Sequence, residues 1–335
     1  THTIYCLLDK GYKVYSIDSL VNSNKLSIKN VLKAFSIKHK NIDNNIKEFF
    51  GDIRNEDFLR KVFKYALKDS NPIIGVIHLA GLKSVSESVL QPQEYWENNV
   101  YGTMKLLQIM KEFECKTIVF SSSASIYGSN ESKLISENSP IRPVNPYAKT
   151  KSVVESFLED IFYGLPNEYR IVNLRYFNPI GAHDSGFFGE DPLGVPNNIF
   201  PIINRVATKE IEYLKIYGND WPTIDGTGIR DYVHVMDLAE GHIRSLEFSL
   251  AEKPRILSLN IGTGKGTSVL QLKDIFENVN KKYIPYKFVS RRAGDVARLV
   301  ADNSLATKYL NWKPSRTIEK MCIDGWRWQK FHIKK

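Results

Sequence analysis

The chain of 335 residues predicts an α/β fold with a doubly wound parallel sheet. Short apolar stretches that are typical of buried strands alternate with longer helical stretches. One apolar stretch ends in an acid, and another ends in three serines that are followed by a turn containing glycine. Strand, helix and strand in short cycles indicate βαβ units, whose strands lie parallel.

The elements are assigned in chain order. Residues 1–11 match the second half of a helix that Gly11 ends, because glycine is favoured just after a helix. After Pro179 the pattern changes to loops rich in glycine, proline and asparagine, with shorter elements. We therefore predict two parts, residues 1–178 and a smaller mixed α/β region over residues 179–335. The predicted strands are residues 13–18, 73–80, 117–121 and 170–175, and the predicted helices are residues 94–113 and 149–162.

Composition argues against several classes of protein. Hydrophobic residues make up 42% and charged residues 25%, which is ordinary for a globular protein with a sizeable core. No run of about eighteen apolar residues occurs, so no membrane span is predicted. The net charge of +9 comes from scattered lysines, which argues against a nucleic-acid partner. Cys6, Cys115 and Cys322 lie far apart without metal-ligand spacing, which favours a reduced, cytoplasmic protein and no metal site.

A serine, a tyrosine and a lysine carry the strongest chemical signal. Ser123 closes an apolar strand, and Tyr147 and Lys151 lie four residues apart where the next helix opens. Residues at this spacing share a helical face, so the ammonium of Lys151 is expected beside the phenol and is expected to lower its pKa. Such a phenol can take a proton from a sugar hydroxyl. On spacing alone the pair is more often two solvated side chains; its place near the carboxyl ends of parallel strands favours a shared cleft.

Motifs along nearly the whole chain resemble, in order, those of the UDP-glucose 4-epimerase family of the extended short-chain dehydrogenase/reductase superfamily. The segments that begin at Arg175 and Gly226 are much more specific than a tyrosine–lysine pair. The motifs begin at Phe50 (FGDIR), Val76 (VIHLAGLK), Glu97 (ENNVYGT), Ser121 (SSSASIYG), Arg175 (RYFNPIGAH), Gly189 (GEDPLGVPNN), Gly226 (GTGIRDYVHV) and Arg291 (RRAGDV).

The resemblance implies a Rossmann-type NAD-binding part over residues 1–178, a nucleotide-sugar-binding region over residues 179–335, and a homodimer. It implies that Tyr147 removes the proton from the 4-hydroxyl of a UDP-sugar while hydride leaves C4 for tightly bound NAD. Ser123 would hydrogen-bond the reacting oxygen, and Lys151 would hold the cofactor ribose and depress the pKa of the phenol. Hydride would then return to the other face of the 4-keto sugar, which regenerates NAD.

The same resemblance implies two sets of contacts. The expected cofactor contacts are Asp18, Asn22, Ser23, Asp52, Ile53, Leu79, Ala80, Gly81, Lys83, Asn98, Tyr147, Lys151 and Tyr176. The expected substrate contacts are Lys83, Ser123, Tyr147, Asn178, Asn198, Ile199, Tyr217, Arg230, Arg292, Asp295 and Leu299. Arginines suit the diphosphate because their planar fork donates two hydrogen bonds.

The start of the chain departs from the family pattern. Asp18 ends a strand in the place of the acid that contacts the adenosine ribose, but no glycine-rich turn precedes it. We therefore expect that a strand and phosphate loop of roughly a dozen residues belong before Thr1 in the complete enzyme. Their loss would leave two neighbouring strands without a partner and remove amides that bind the pyrophosphate. The literal chain is thus expected to bind NAD poorly or to be unstable, which a clean thermal melt stabilised by NAD would contradict.

A second glycine cluster runs from Gly262 to Gly266, after a strand and before a helix. Its spacing is not that of a dinucleotide fingerprint, so it is interpreted as a structural turn, with phosphate binding as the weaker reading.

Several alternative functions remain open. A UDP-pentose or UDP-uronate 4-epimerase would use the same Tyr147 and Lys151. A nucleotide-sugar 4,6-dehydratase is disfavoured, because it needs an acid pair beside the serine where this chain has Ser123-Ala124-Ser125. An inactive truncated relative that binds or scaffolds without turnover is a further reading. A nucleic-acid binder is the weakest, because no basic patch is interleaved with aromatics.

Two departures bear on contacts and specificity. Ser19 stands where the family often has asparagine, at a position whose side chain is expected to contact the adenosine ribose. Leu299 stands where the family has a large tyrosine in enzymes confined to glucose and galactose, and a smaller residue where N-acetylated sugars also fit.

Because leucine is intermediate in bulk, we predict turnover mainly of UDP-glucose and UDP-galactose, with weak N-acetylhexosamine activity at most. Initial rates with UDP-galactose and UDP-N-acetylgalactosamine check this. Equal turnover of the two sugars would contradict it.

Overall fold

The computed structural model describes residues 1–39, 45–129, 132–191, 193, 196, 198–292 and 294–333. Residues 192, 194, 195, 197 and 293, which belong to two of the motifs above, lie outside the described residues.

A π-helical turn covers Trp96–Tyr101, and a 3₁₀ turn covers Ala124–Tyr127. The helices are α1 (His2–Asp9), α2 (Leu26–Lys38), α3 (Glu56–Lys68), α4 (Val85–Leu90), α5 (Pro92–Tyr95), α6 (Gly102–Glu112), α7 (Pro146–Gly164), α8 (Ile199–Ala207), α9 (Val235–Ala251), α10 (Val269–Asn280), α11 (Ser304–Leu310) and α12 (Ile318–Ile333). The strands are β1 (Val14–Asp18), β2 (Ile46–Phe50), β3 (Val76–His78), β4 (Thr117–Ser121), β5 (Arg170–Tyr176), β6 (Asn178–Ile180), β7 (Leu214–Tyr217), β8 (Ile229–His234), β9 (Arg255–Ile261), β10 (Gly266–Ser268), β11 (Tyr286–Val289) and β12 (Arg298–Leu299).

The main sheet is parallel and has the strand order β3, β4, β5, β9. Every residue of β4 is buried, as expected of a strand covered on both faces. Side chains alternate along β4: Ile118 and Phe120 pack with α3, α6 and α7, whereas Val119 packs with α9 and α11 on the other face. Helices on both faces of a parallel sheet confirm the predicted doubly wound α/β class.

The chain returns to this sheet after the predicted boundary at residue 178. β9 pairs with β5 in parallel from Arg255 to Ile261, and α9 packs on the same layer. The division into residues 1–178 and 179–335 stays a prediction. The structure adds that β9, from the second part, belongs to the main sheet of the first part.

β1 and β2 form a separate parallel pair. Among the described residues, β1 pairs with β2 and β3 pairs with β4, and no strand joins β1 to β3. The predicted helix at the start of the chain is present as α1, and Gly11 follows it with φ +80°. That a strand and a glycine loop belong before Thr1 stays a prediction.

The second region contains the pair β7–β11 and a small sheet in which β8 lies between β10 and β12 and also pairs with β6. α8, α10 and α12 cover it with a cluster of aliphatic and aromatic side chains. The glycine cluster that begins at Gly262 follows β9. Its amides at Thr263 and Gly264 donate to the buried carboxylate of Asp231. An internal anion therefore holds this turn, as the structural reading predicts.

Five of the six predicted elements have different bounds in the structure, and for β1 and β5 the difference is a single residue. The predicted strand over residues 73–80 is reduced to β3, and the predicted helix over residues 94–113 is divided into α5, the π-helical turn and α6. α7 starts three residues earlier than predicted. Its start is set by Asn145, whose side chain accepts from the N–H of Ala148, and by Pro146 in the first turn. In the described part of the chain, no helix is long and apolar enough to cross a membrane.

Candidate active site

Ser123, Tyr147 and Lys151 lie together at the carboxyl edge of the main sheet. Ser123 follows β4, and its side chain favours the ionised form of the phenol of Tyr147. Lys151, one helical turn after Tyr147, donates from Nζ to the carbonyl oxygen of Ser121 at 2.8 Å. All three side chains are buried. These three buried side chains, between the end of one strand and the start of one helix, are named the catalytic pocket here.

The expectation that Lys151 lowers the pKa of Tyr147 is wrong in this structure. Burial raises the pKa of Tyr147 above its ordinary value, and the side chain of Ser123 offsets this in part. The ammonium of Lys151 lies 5.9 Å from the centroid of the tyrosine ring. Desolvation therefore sets the direction of the shift, because burial disfavours the charged phenolate.

Burial also acts on the lysine. It lowers the pKa of Lys151 to about 8, and the carboxylate of Glu155 counteracts the shift. Lys151 therefore changes charge within the range in which enzymes work, whereas an exposed lysine stays charged there.

The loop after β3 packs closely against Asn99. Gly81 has φ +152°, and a Cβ there would lie 2.8 Å from Oδ1 of Asn99. Asn99 holds this loop through both its side-chain atoms: Oδ1 accepts from the N–H of Leu82 at 2.8 Å, and Nδ2 donates to Leu82 O at 3.0 Å and to Thr150 Oγ1 at 3.1 Å. Glycine is therefore required at this position by its backbone conformation and by the close packing of the loop against Asn99, next to Nζ of Lys151.

Asn99 is a residue that sequence reasoning missed. The predicted cofactor contact was Asn98, whose side chain is half-buried and donates to the carbonyl of Glu94 at 2.8 Å. Both asparagines lie in the π-helical turn, where the widened backbone turns the second one inward. The sequence offers no signal that separates two adjacent asparagines.

The other predicted cofactor residues lie at the same edge of the strands. Asp18 ends β1 and is exposed, and its Oδ1 accepts from Ser23 Oγ at 2.8 Å and from the N–H of Leu20 at 2.7 Å. Asn22 is exposed beside them. These positions suit recognition of ribose hydroxyls, and that role stays a prediction.

Asp52 and Ile53 follow β2. The carboxylate of Asp52 is held by Arg54, which donates from Nε and Nη2 at 2.7–3.1 Å; these hydrogen bonds keep the pKa of Asp52 below its ordinary value. Ile53 packs against the core. Leu79 and Ala80 follow β3, and Leu79 is exposed. Their predicted contacts to adenine and diphosphate stay predictions.

Tyr176 ends β5 next to the catalytic pocket. Burial raises its pKa, and the nearby Tyr147 adds to the shift. Its neighbour in space, His242, bonds Ser121 Oγ at 2.8 Å, and burial lowers the pKa of His242 to about 4, so the imidazole is neutral at neutral pH. Neither Tyr176 nor His242 therefore adds a charge to the catalytic pocket at neutral pH.

A cavity of about 150 Å³ opens in the second region. The structure brings together there seven of the predicted substrate residues. These are Asn178, Asn198, Ile199, Tyr217, Arg230, Arg292 and Asp295. Sequence reasoning missed Trp221, which also lines it; its indole donates to Tyr217 O at 3.1 Å, and the guanidinium of Arg291 stacks over it at 4.0 Å.

Two arginines converge on one acid in this cavity. Arg292 donates to Asp295 at 3.0 Å, and Nη2 of Arg230 lies 3.8 Å from the same oxygen. Burial lowers the pKa of Arg230, and Asp295 counteracts this. Two guanidinium groups and one carboxylate leave a net positive charge, which favours an anionic ligand such as a diphosphate.

A glutamate connects the two parts of the site. Glu190 accepts from Lys83 at 2.9 Å and from Asn198 at 2.8 Å, so it joins the loop after β3 to the wall of the cavity. Sequence reasoning quoted its motif without assigning Glu190 a role, and the bridge depends on a tertiary contact over 107 residues of chain.

Leu299 is half-buried in β12 and pairs with Arg230 of β8. It packs on the cluster that contains Ala124 and Ile135. Leu299 therefore connects the segment that follows Ser123 with the strand that carries Arg230, and its effect on the choice of sugar stays a prediction.

A larger cavity, of about 350 Å³, lies between α1, α9 and α12. None of the predicted site residues lines it, and its charges pair with each other, as Lys320 does with Asp324 at 2.7 Å. The size of a cavity alone therefore does not identify the site. The predicted substrate and catalytic residues lie at the smaller cavity and in the catalytic pocket.

A doubly wound sheet with serine, tyrosine and lysine at its carboxyl edge defines the class of short-chain dehydrogenases/reductases. A family model described as GDP-mannose 4,6 dehydratase matches residues 1–324. UDP-glucose 4-epimerase of Bacillus subtilis (strain 168) is 42% identical over 334 residues, which is 99% of this chain and 94% of that protein. Bifunctional UDP-glucose 4-epimerase and UDP-xylose 4-epimerase 1 of Pisum sativum is 43% identical and covers 98% of this chain and 92% of its own length.

Solved structures agree with these relatives. UDP-glucose 4-epimerase from Bifidobacterium longum, in complex with NAD+ and UDP, has a TM-score of 0.90 and 41% identity, and the match covers 99% of this chain and 95% of that one. The enzyme from Stenotrophomonas maltophila, with bound NAD and formylated UDP-arabinopyranose, has a TM-score of 0.92, 37% identity and the same two coverages. The chain belongs to the UDP-glucose 4-epimerases, which are isomerases of the extended short-chain dehydrogenase/reductase superfamily.

Proposed function

We propose that this chain interconverts UDP-glucose and UDP-galactose by inverting C4 through a transient 4-keto sugar, with tightly bound and recycled NAD, and that it serves galactose metabolism. The observation that carries the proposal is the convergence of seven predicted nucleotide-sugar residues on one cavity. The buried serine, tyrosine and lysine lie at the carboxyl edge of the main sheet. The relatives named UDP-glucose 4-epimerase span nearly the whole chain and support the same activity.

The residues present fit NAD. The loop after β3 exposes the side chains of Leu79 and Lys83 near Lys151, and the exposed carboxylate of Asp18 suits ribose hydroxyls. Asp18, Gly81, Lys83 and Lys151 would hold the cofactor. When bound, NAD supplies the acceptor for the hydride of C4 and returns that hydride to the opposite face of the sugar.

Tyr147 acts as the general base of the proposed reaction. It takes the proton of the 4-hydroxyl as C4 is oxidised and gives a proton back as C4 is reduced, so the protein ends unchanged. Ser123 hydrogen-bonds the reacting oxygen, because its hydroxyl lies beside the phenol. Lys151, held by the carbonyl of Ser121, keeps a positive charge near the phenolate that forms.

Replacing Tyr147 by phenylalanine removes the proton acceptor and keeps the ring that packs in the pocket. We expect Tyr147→Phe to lower kcat for UDP-galactose at least about a hundredfold, within the range of a lost general base. Coupled conversion of UDP-galactose to UDP-glucose, with NAD added to saturation, measures this. Tyr163→Phe, an exposed position on the same helix, is the control. Equal loss in both variants, or none in Tyr147→Phe, would contradict the proposed role.

The cavity that contains Arg230 and Arg292 is proposed to bind the UDP group. We expect Arg292→Ala to weaken UDP affinity about tenfold or more, since a hydrogen bond between charged groups is lost. Isothermal titration calorimetry with UDP measures the affinity. Arg255→Ala lies outside the cavity and is expected to leave it unchanged. If the Arg292→Ala variant binds UDP as tightly as the unaltered chain, the UDP site lies elsewhere and the proposal is contradicted.

UDP-xylose is a second candidate substrate. A plant relative at 43% identity is named as both a UDP-glucose and a UDP-xylose 4-epimerase. A pentose lacks C6 and needs less space beside Leu299. Dehydration is disfavoured, because Ser123-Ala124-Ser125 provides no acid pair. Initial rates of epimerisation measured with UDP-xylose, UDP-glucuronate and UDP-galactose show which of the three sugars is the preferred substrate. Absence of turnover with all three would favour the alternative that the chain is an inactive relative.

We further propose that two copies of the chain form a homodimer. Apolar side chains are exposed on the adjacent helical surfaces of the π-helical turn, α6 and α7. They are Trp96, Tyr101, Met104 and Val153, which are 38–47% exposed. A shared apolar surface is typical of an interface between copies.

Met104→Glu puts a charge into this surface and is expected to convert dimers to monomers in sedimentation velocity at micromolar concentration. Ile224→Glu, on an exposed side chain outside these helices, is expected to stay dimeric. Monomers of the unaltered chain would contradict the proposal.

We also propose that the protein works in the cytoplasm. Its three cysteines, Cys6, Cys115 and Cys322, are buried and form no disulfide, as is usual in a reducing compartment. Subcellular fractionation with detection of the full-length protein tests this.

A further inference from the structure

Glu155 is a buried carboxylate directly beneath the catalytic pocket. It lies one helical turn after Lys151 on α7 and is 2% exposed. Arg175 of β5 holds it with two fork atoms, Nε at 3.1 Å to both oxygens and Nη2 at 2.6 Å to Oε2. The hydroxyl of Ser122 also donates to Glu155. The carboxylate thus joins the end of β4 to the helix that carries Tyr147 and Lys151.

The presence of a buried ion pair of this kind is not explained by the stability of the fold alone. Removing two charges from water costs several kcal/mol per ion, and apolar residues of similar size often replace such a pair without loss. Arg175 is itself fully engaged: it also donates to Tyr127 Oη at 3.1 Å and to the carbonyl of Glu137 at 3.0 Å. The geometry therefore fixes the position of one negative charge close to Lys151.

The other groups around Lys151 do not supply an anion. β3 contributes His78 and α9 contributes His242; burial lowers their pKa values to about 3 and about 4, so both are neutral at neutral pH. β5 contributes the cation Arg175 and the phenol of Tyr176. On α7 itself, burial keeps Tyr147 protonated. Within the described residues, Glu155 is the anion whose charge favours the ammonium of Lys151.

We propose that Glu155, held in place by Arg175, is a positioning residue that keeps the ammonium of Lys151 charged at the pH at which the enzyme works. Its value for catalysis depends on the proposed epimerase function, in which a charged Lys151 stabilises the phenolate of Tyr147. Lys151 is about nine-tenths protonated at pH 7 with a pKa of about 8, and a fall of one unit would leave about half of the molecules uncharged.

The test is a direct titration of Lys151 in the full chain, without NAD or sugar. Lysine labelled with ¹³C at Cε is followed by NMR from pH 6 to pH 10. The resonance of Lys151 should titrate near pH 8, apart from exposed lysines near about 10.4, and should vanish in Lys151→Met. Glu155→Gln should move that midpoint to lower pH by at least about half a unit, because the ammonium loses its partner.

Glu159→Gln is the matched control. This exposed carboxylate lies one turn further along α7, and its removal should leave the midpoint unchanged. Because Glu155→Gln leaves Arg175 buried without its partner, Glu155→Gln/Arg175→Met is the second variant, in which both charges are replaced by groups of similar size. Circular dichroism checks that each variant is folded.

A midpoint below that of the unaltered chain in either folded variant supports the proposal. A midpoint equal to that of the unaltered chain in the folded variants overturns it, and so does a Lys151 that titrates with the exposed lysines. Failure of the proposed epimerase function would appear separately, as absent turnover in the coupled assay with an unchanged titration of Lys151.

Discussion

Parallel pairing of β4 with β3 on one side and β5 on the other is the constraint on which the rest of the site depends. In a parallel sheet all carboxyl ends meet at one edge. That register puts the loop at Gly81, the serines that follow β4 and the end of β5 at Tyr176 side by side. α7 then needs only an Asn145 cap at its start to place Tyr147 and Lys151 over the same edge. The order of the parallel strands and the start of α7 therefore position the side chains of the catalytic pocket.

Burial acts on the two titratable groups of the pocket in opposite directions. It raises the pKa of Tyr147 and lowers that of Lys151, so both are driven toward their neutral forms. The proposed reaction would benefit from a site that excludes water, yet the same burial makes the phenolate of Tyr147 harder to form. The buried pair of Glu155 and Arg175 fits this conflict, since it brings one fixed anion to Lys151 without admitting solvent.

Much of the site was accessible from the sequence, because strand ends and specific motifs mark it. Seven predicted residues that line the cavity of about 150 Å³ come from five separate segments of the chain, and five of the seven lie in the quoted motifs. Asn99 was missed because a π-helical turn changes which side chain faces inward, and no local pattern reports that turn. Glu190 and the strand β9 depend on contacts over long sequence separations, which periodicity cannot report. The pKa of Tyr147 was mispredicted because helical spacing gives the distance to a cation and says nothing of desolvation.

The most direct test of the account follows the hydrogen at C4. UDP-galactose with deuterium at C4 is incubated with the chain and NAD in ordinary water, and the UDP-glucose formed is analysed by NMR. The account predicts that deuterium stays at C4, because the same hydride leaves and returns within one site. Loss of deuterium to solvent, or formation of UDP-glucose with hydrogen at C4, would contradict a transient 4-keto sugar with recycled NAD.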